Sequence, residues 1–239
     1  MCTATWLYSE HGYDLFFNRD ELRVRGTARP AEPKLVNAIP CIFPEDSDAG
    51  GTWIGVNERG FSACLLNYYR QSGAVARSSY ISRGLLMTSI LDCSSTRDAV
   101  DRVLSLNPMD YRHFSMLLLE PTGPPALLRW TGQDGGPELT LDPSMPKSSS
   151  SFKTAEVVAS RKDLLASRYQ FADTYDLALY HRSHEPERGP YSVCMHREDA
   201  QTVSFSHVAV TSDTIVFDYT PGSPCTTEPA PQVAIRRRG

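Results

Sequence analysis

The sequence opens Met1-Cys2-Thr3-Ala4-Thr5-Trp6-Leu7-Tyr8, continues through Ser9-Glu10-His11-Gly12, and runs on as Tyr13-Asp14-Leu15-Phe16-Phe17 into Asn18-Arg19-Asp20-Glu21. The two runs on either side of the polar segment are rich in β-branched and aromatic residues, which is typical of a β-hairpin. Hairpin pairing would bring the end of the second strand beside the start of the first. The stretch therefore predicts that the tetrad Asn18–Glu21 lies close to Cys2.

Cys2 is a candidate nucleophile, because removal of an initiator methionine before a small residue would give this cysteine a free α-amino group. An α-amine has an unperturbed pKa of roughly 7.7 to 8.0, so it can accept the proton of a thiol whose reference pKa is about 8.5. Nucleophile and base would then belong to one residue. The alternative is a structural cysteine, since a buried thiol behaves as a small hydrophobe.

Length and composition bound the fold and exclude two classes of protein. The 239 residues can form one large domain, 1–239, with a proline-rich tail over Pro221–Gly239. A net charge of −4 gives no electrostatic basis for binding nucleic acid. The longest apolar runs, such as Ala63–Leu66 and Met116–Leu119, are far shorter than the roughly 18 residues of a membrane span. We expect a cytoplasmic protein with no membrane span.

The six cysteines and six histidines are scattered without the spacing of a metal site. No C-x-x-C or HExxH pattern occurs, and the pair His181 and His184 has no companion cysteine in such a pattern. We therefore expect reduced thiols, no disulfide framework, no metal and no organic cofactor.

The remaining chain alternates between helical and strand-like segments. Helical spacing of apolar residues covers Ser79–Asp92, Ser95–Leu106 and Glu156–Leu179, and the Gly-, Pro- and Ser-rich segment Gly132–Ser151 is expected to be a loop. Strands are predicted at Thr52–Val56, Phe61–Tyr68, Phe114–Glu120, Ala126–Thr131, Tyr191–Met195, Thr202–Val210 and Thr214–Tyr219. Strands at both ends that enclose helices indicate an α+β fold of mostly antiparallel sheets covered by helices.

Several separated motifs occur in one order along the chain. They are Met1-Cys2-Thr3, Asn18-Arg19-Asp20-Glu21, Gly50-Gly51-Thr52-Trp53-Ile54-Gly55, Asn57-x-x-Gly60 and Leu66-Asn67. This set resembles the NRDE family, which includes the eukaryotic transport-and-Golgi-organisation type 2 proteins. The resemblance continues through Ser148–Phe152, Val158-Ala159-Ser160-Arg161 and Tyr191–Arg197 and so covers nearly the whole chain. The NRDE family is in turn similar to the N-terminal-cysteine branch of the N-terminal-nucleophile hydrolases, which includes conjugated bile acid hydrolases and penicillin V acylases.

The resemblance implies a four-layer αββα fold in which two antiparallel sheets pack face to face. It implies Cys2 as the nucleophile, Arg19 and Asp20 as the residues that hold it, and Asn67 as a donor to the oxyanion. Without gaps, the hydrolase arginine and aspartate fall instead on Asn18 and Glu21, which are therefore kept as candidate binding residues. Strand alternation places Asn18 and Asp20 on one face and Arg19 and Glu21 on the other.

The second oxyanion asparagine of the hydrolases corresponds here to the serine run Ser149–Ser151. A serine hydroxyl can donate one hydrogen bond, and Ser150 is the candidate binding residue of this run. The sequence does not place a counterpart of the last arginine of the hydrolase site.

Two functions are consistent with these features. The first is hydrolysis of an amide or related acyl bond in a small molecule, through an acyl-enzyme on Cys2. The second is a non-catalytic protein that uses the same cleft to bind haem or an acyl lipid, because a family can keep a fold and lose its turnover.

Overall fold

The N-terminal hairpin forms as the sequence predicts. In the computed structural model, which describes residues 1–69, 79–133, 136–169 and 173–238, Cys2–Ser9 pairs antiparallel with Gly12–Leu22. The register places Cys2 opposite Arg19. The tetrad therefore lies at the same end of the hairpin as Cys2.

The described residues contain thirteen strands and four α-helices, with one short 3₁₀ turn at Pro108–Asp110. In chain order they are β1 (Cys2–Ser9), β2 (Gly12–Leu22), β3 (Arg29–Val36), β4 (Ile39–Glu45), β5 (Ile54–Asn57), β6 (Ser62–Asn67), α1 (Arg83–Ile90), α2 (Thr96–Ser105), β7 (Phe114–Leu119), β8 (Ala126–Trp130), β9 (Glu138–Leu141), β10 (Lys147–Ser149), α3 (Thr154–Arg168), α4 (Thr174–Arg182), β11 (Ala200–Val210), β12 (Thr214–Thr220) and β13 (Val233–Arg236). Within the described ranges, no helix has the length and apolar content needed to cross a membrane.

The strands form two antiparallel sheets. The first has the order β10-β1-β2-β11-β12-β13, and the second follows chain order from β3 to β9. In the first sheet β1 lies between β2, which ends in the charged tetrad, and the short serine-containing β10. Both neighbours of Cys2 are therefore polar, although β1 itself is mostly apolar.

Side-chain alternation along the strands produces the layers. Cys2, Ala4 and Trp6 of β1 contribute to a core between the two sheets, which also contains Leu66 and Leu117 of the second sheet. A second core packs α1 and α2 against the outer face of the second sheet, and a third packs α3 and α4 against the outer face of the first. This is the four-layer αββα fold that the sequence predicts.

The turn between β4 and β5 depends on glycine. Gly50 has a φ of 68°, in the left-handed region, and a Cβ on Gly51 would lie 2.2 Å from the carbonyl carbon of Gly84. The two glycines let this turn approach the N-terminus of α1, where the Thr52 amide donates to the Gly84 carbonyl at 3.1 Å. This contact forms one wall of the cleft described below.

Two predicted segments differ in their secondary structure. The expected loop Gly132–Ser151 contains β9 and β10, and the expected helix Glu156–Leu179 is two helices, α3 and α4. Asp173 caps α4 in a capping box that marks a new helix start, and residues 170–172 of the predicted helix lie outside the described residues. β10 has only three residues, and its sequence has no strand pattern. It is part of the sheet because it pairs with β1.

One further prediction is wrong, and the proline-rich tail is partly structured. The predicted strand Tyr191–Met195 is irregular, because the Val193 carbonyl accepts from the Asn18 side chain, while the Met195 carbonyl accepts from the Thr202 amide of β11. The proline-rich tail contains β13, whose Ile235 pairs with Ile215 of β12. Burial of alternate apolar residues against the sheet edge favours a strand here despite the preceding prolines.

Candidate active site

A polar cavity of about 250 Å³ opens at the end of the sandwich where β1 begins. Cys2 lies in its wall, beside the end of β2, the Gly50-Gly51 turn and the N-terminus of α1. Its lining residues are Cys2, Arg19, Asp20, Glu21, Arg25, Asp46, Thr52, Trp53, Leu65, Asn67, Tyr80, Ile81, Ser82, Arg83, Gly84 and Arg112. The cavity therefore brings Cys2 together with the other three residues that were assigned catalytic roles.

Cys2 is buried, with 7% of its surface exposed. Burial raises the pKa of its thiol, and the N-terminal ammonium and Arg19 oppose this rise only in part. In the chain that retains Met1, nearby positive charge therefore does not bring the pKa of Cys2 below its usual value. Desolvation dominates here because the thiol faces the apolar core between the sheets.

Met1 extends the pairing of β1 and β2 by one residue. Its amine donates to the Asp20 carbonyl at 2.9 Å, and the Asp20 amide donates to the Met1 carbonyl at 2.8 Å. Hydrogen-bonded pairs alternate with non-bonded ones in an antiparallel ladder, so Cys2 and Arg19 form a non-bonded pair, in which side chains lie closest. The backbone nitrogen of Cys2 consequently points toward Ser149 of β10, which is its register partner on the other side.

Arg19 is held rigidly beside Cys2. Its guanidinium donates to Asp46 at 2.8 Å and stacks 3.9 Å from the centroid of the Trp53 ring. Burial alone would raise the pKa of Asp46, but the hydrogen bond and charge of Arg25, together with Arg19, lower it below its usual value. Asp46 is therefore ionised at neutral pH and fixes Arg19 on the face of the sheet that carries Cys2.

The other two positions of the tetrad face the helical layer, as the alternation predicts. The Asn18 side chain donates to the carbonyls of His181 and Val193 at 2.9 and 3.0 Å, so its amide supports α4 and the following segment and does not line the cleft. The Asp20 carboxylate accepts from Thr202 at 2.7 Å and lies 3.4 Å from Arg161. Asp20 thus presents its backbone toward Cys2 and its charge toward the helices, while Glu21 lines the cleft.

A β-bulge in β11 accompanies this change of face. Thr202 is opposite Asp20 and Ser204 is opposite Arg19, which leaves Val203 unpaired between them. The extra residue puts Thr202 on the outer face, where it bonds Asp20, and Ser204 on the inner face with Arg19.

Arg161 on α3 is a buried residue that sequence reasoning did not assign to the site. It donates to Thr3 at 2.6 Å and forms an ion pair with Asp20 in which neither side chain is exposed. Its position in the motif Val158-Ala159-Ser160-Arg161 was the available signal. Arg161 holds β1 and β2 from behind, one residue away from Cys2 and Arg19 on each strand.

Asn67 lies at the end of β6 and lines the cavity, as predicted. Its amide donates to the hydroxyl of Tyr69 at 3.0 Å. Burial raises the pKa of Tyr69, and the hydrogen bond from Asn67 partly opposes the rise; Cys2 is also among the groups that raise it. Tyr69 therefore belongs to this site and was missed, because nothing in the sequence marks a tyrosine two residues beyond a strand end.

The serine run divides its roles differently from the prediction. The Ser150 hydroxyl donates to the Phe152 carbonyl at 2.6 Å and accepts from the Phe152 amide at 3.1 Å, so it closes a local turn. Ser149 is the register partner of Cys2, and its buried hydroxyl has no hydrogen-bond partner among the described residues. Ser149 is therefore the serine paired with Cys2, while the Ser150 hydroxyl also lies 3.0 Å from the Met1 sulfur.

The wall opposite Cys2 is basic. Arg83 donates to the His113 carbonyl at 2.7 Å, and the Arg112 guanidinium lies 5.3 Å from the centroid of the Tyr80 ring. Burial, with a contribution from the like charge of Arg112, lowers the pKa of Arg83. An anionic group bound between these arginines would offset that cost.

Comparisons with known proteins identify a family and a fold. The family model described as Transport and Golgi organisation 2 (TANGO2) matches residues 1–167. No curated protein gave a significant match to this chain.

Solved structures with the N-terminal-nucleophile hydrolase fold are similar over most of their length. Penicillin V acylase from Agrobacterium tumefaciens matches with a TM-score of 0.59 at 15% identity, covering 96% of this chain and 84% of that one. The C2A mutant of conjugated bile acid hydrolase from Clostridium perfringens matches with a TM-score of 0.55 at 11% identity, covering 99% and 92%. A Caenorhabditis elegans orthologue of N-acylethanolamine-hydrolyzing acid amidase gives 0.55 at 11%, covering 86% and 92%. At these identities the likeness establishes the fold.

Proposed function

We propose that this chain, which belongs to the Transport and Golgi organisation 2 family, hydrolyses an amide or related acyl bond in a small molecule with Cys2 as its nucleophile. The observation that carries the proposal is that Cys2 lines the polar cavity and has polar register partners on both neighbouring strands, Arg19 on β2 and Ser149 on β10. A cysteine kept only for packing has no need of these polar neighbours.

Removal of Met1 is the first step of the proposal. The amine of Met1 is one residue away from the thiol and is bonded to Asp20. After removal, the amine belongs to Cys2 and points toward Ser149, where it can accept the thiol proton directly. Because burial raises the pKa of the thiol, attack requires a base that removes the proton as the new bond forms.

The chemical steps then use groups at the cleft. The Cys2 sulfur attacks the acyl carbon while the α-amine takes the thiol proton, and the amine returns a proton to the leaving nitrogen as the carbon–nitrogen bond breaks. The Asn67 amide and the Ser149 hydroxyl donate to the oxyanion, with the Asn67 amide turning from Tyr69 to do so. Water, deprotonated by the α-amine, hydrolyses the thioester and frees Cys2.

The basic wall supports a substrate class. Arg83 and Arg112 favour an acyl substrate that carries a carboxylate on the side away from Cys2. N-acyl amino acids should therefore be cleaved with a lower KM than N-acyl ethanolamides of the same acyl chain. Arg112→Gln should raise KM for the acids alone, and an equal change for both substrates would contradict this assignment.

The test of the main proposal is a mass measurement combined with turnover. Protein from its native host should lack Met1, and an activated acyl ester should add one acyl group to Cys2. Cys2→Ala should lose both the adduct and hydrolysis of a panel of N-acyl amides. Cys64→Ala, a matched control in the same inter-sheet core, should keep them. Quantitative retention of Met1, or an equal adduct in Cys2→Ala, would exclude the proposal.

A binding protein is the second candidate, and two observations favour it. In the chain that retains Met1, the pKa of the Cys2 thiol is raised and the Asn67 amide is already bonded to Tyr69. Such a cleft would bind haem or an acyl lipid without turnover. A shift of the melting temperature by haem or by acyl-CoA that is identical in wild type and Cys2→Ala, with no acyl adduct, would favour this function.

A further inference from the structure

Four side chains with metal-binding atoms meet behind the first sheet, away from the cleft. They come from the segment after α4 (His184), from the irregular segment before β11 (Cys194 and His196), and from the loop after β12 (Cys225). Their ligand atoms all lie within 4.8 Å of one another. The sequence predicts no such site, because these residues do not have the spacing of a metal site along the chain. The four ligands come from three segments that only the fold brings together.

The distances fit tetrahedral coordination. Nε2 of His196 lies 3.6 Å from the Cys194 sulfur and 3.4 Å from the Cys225 sulfur. Zinc binds thiolate sulfur at about 2.3 Å and imidazole nitrogen at about 2.0–2.1 Å, which separates a sulfur and a nitrogen of one tetrahedron by about 3.5 Å. We propose that His184, Cys194, His196 and Cys225 form a Cys₂His₂ zinc site.

A buried nitrogen atom without a hydrogen-bond partner supports this site independently. Nε2 of His184 is buried and has no hydrogen-bond partner among the described residues, and the His184 ring lies 5.1 Å from that of His196. A buried polar atom without a partner is costly, and coordination to an ion would satisfy it.

Binding of the ion would change the protonation of the ligand thiols and the position of one neighbouring side chain. The Cys194 and Cys225 thiols would lose their protons on binding, and the cation would stabilise both thiolates. Arg188 lies 3.4 Å from Nδ1 of His196, which carries the proton when Nε2 binds zinc. Because Arg188 is exposed, its side chain is free to turn into solvent.

Four protein ligands leave no open position, so the ion would be structural. The segment that it fixes contacts the back of the candidate active site. Met195, between two of the ligands, donates its amide to Thr202 at 2.8 Å, and Thr202 donates to Asp20 at 2.7 Å. Zinc at this position would therefore fix the segment that bonds to Thr202, the hydrogen-bond donor to Asp20. It would also keep the loop that carries Cys225 against β11.

The experiment uses the full chain, stripped of metal and kept reduced. Titration with Zn²⁺ against a chromogenic chelator should show one tight site, and Co²⁺ should give thiolate-to-cobalt charge-transfer absorption with the strong visible bands of a tetrahedral ion. Cys225→Ser, in a partly exposed loop, and His184→Gln should each lower Zn²⁺ affinity by more than about tenfold, since even loss of a second-shell partner costs 10- to 100-fold. Zinc should raise the melting temperature of the wild type.

The matched controls are His11→Gln, at an exposed turn, and Cys93→Ser, in the core under α1 and α2. Both should bind Zn²⁺ and Co²⁺ as the wild type does. The proposal fails if the reduced wild-type chain shows no tight site, or if Cys225→Ser and His184→Gln bind as tightly as the controls. It also fails if peptide mapping finds a Cys194–Cys225 disulfide and the reduced protein binds neither metal.

Discussion

The inner and outer faces of β2 at the tetrad differ in what their side chains contact. On the inner face, Arg19 and Glu21 line a cavity that reaches solvent, beside Cys2. On the outer face, Asn18 and Asp20 are buried and bonded to α3, α4 and the segment before β11. Two residues of this four-residue motif therefore line the cleft, and the other two support the fold from the opposite face of the sheet.

This difference separates effects on activity from effects on stability. An inner-face residue touches the substrate region, so its removal should change turnover while leaving the fold. An outer-face residue satisfies a buried charge or amide, so its removal should lower the free energy of unfolding first.

The largest expected effect concerns the buried ion pair of the outer face. Arg161→Met leaves the Asp20 carboxylate buried without its cation, and breaking such a pair typically costs about 3–5 kcal/mol. Urea denaturation should show this loss. Arg168→Met on the same helix, whose ion pair with Glu185 is exposed, should change stability by less than about 1 kcal/mol.

A double variant sharpens this prediction. Asp20→Leu combined with Arg161→Met removes both charges and should recover much of the lost stability, because replacement of a buried pair by apolar residues is often neutral. If Arg161→Met alone is as stable as the wild type, the outer face does not support the fold through this pair.

The next effect concerns the inner side of the cleft. Asn67→Ala should lower kcat by about 10²- to 10³-fold, the usual result of losing one oxyanion donor, with little change in unfolding. The measurement is turnover of the best amide from the substrate panel, together with a denaturation curve. A variant that unfolds, or that keeps full turnover, would show that Asn67 only closes the strand end on Tyr69.

A smaller effect distinguishes two neighbouring serines. Ser149→Ala should lower kcat by roughly tenfold or more, since a hydrogen bond to a charged group contributes about 1.5–3 kcal/mol. Ser150→Ala should leave kcat nearly unchanged and lower stability by about 1 kcal/mol through its turn with Phe152. The reverse pattern would restore Ser150 as the binding residue.

The smallest effect is a pH-dependent one on the outer face, remote from the cleft. Burial alone would lower the pKa of His207, but hydrogen bonds to Asp14 and Asp218 outweigh it and raise the pKa. A raised folded-state pKa stabilises the protein fully below the unfolded value of about 6.5 and loses this contribution as the pH rises through the folded value. The stability difference between wild type and His207→Gln should therefore shrink from pH 6 toward pH 9, with turnover of both unchanged relative to each other. A constant difference would mean that His207 acts only by stacking on Phe16.

Local sequence patterns predicted the parts of the site that depend on neighbours along the chain. The hairpin from Cys2, the division of the tetrad between two faces, and the position of Asn67 at a strand end all follow from two-residue alternation and turn composition. The roles of Arg161 and Tyr69 did not follow, because an arginine in a helix and a tyrosine after a strand have no local pattern that marks burial beside a cysteine.

The amino-acid sequence by itself determined the α+β class, the pairing of Cys2 with the tetrad and the resemblance to the family, which in turn implied the four layers, since strand alternation and separated motifs are properties of consecutive residues. Only the tertiary structure decided that Ser149 adjoins Cys2 and that His184 meets Cys194, His196 and Cys225. The first contact depends on a three-residue strand that pairs at the edge of a sheet. The second brings together segments up to about forty positions apart. Packing between layers places such groups together, and no spacing along the chain encodes it.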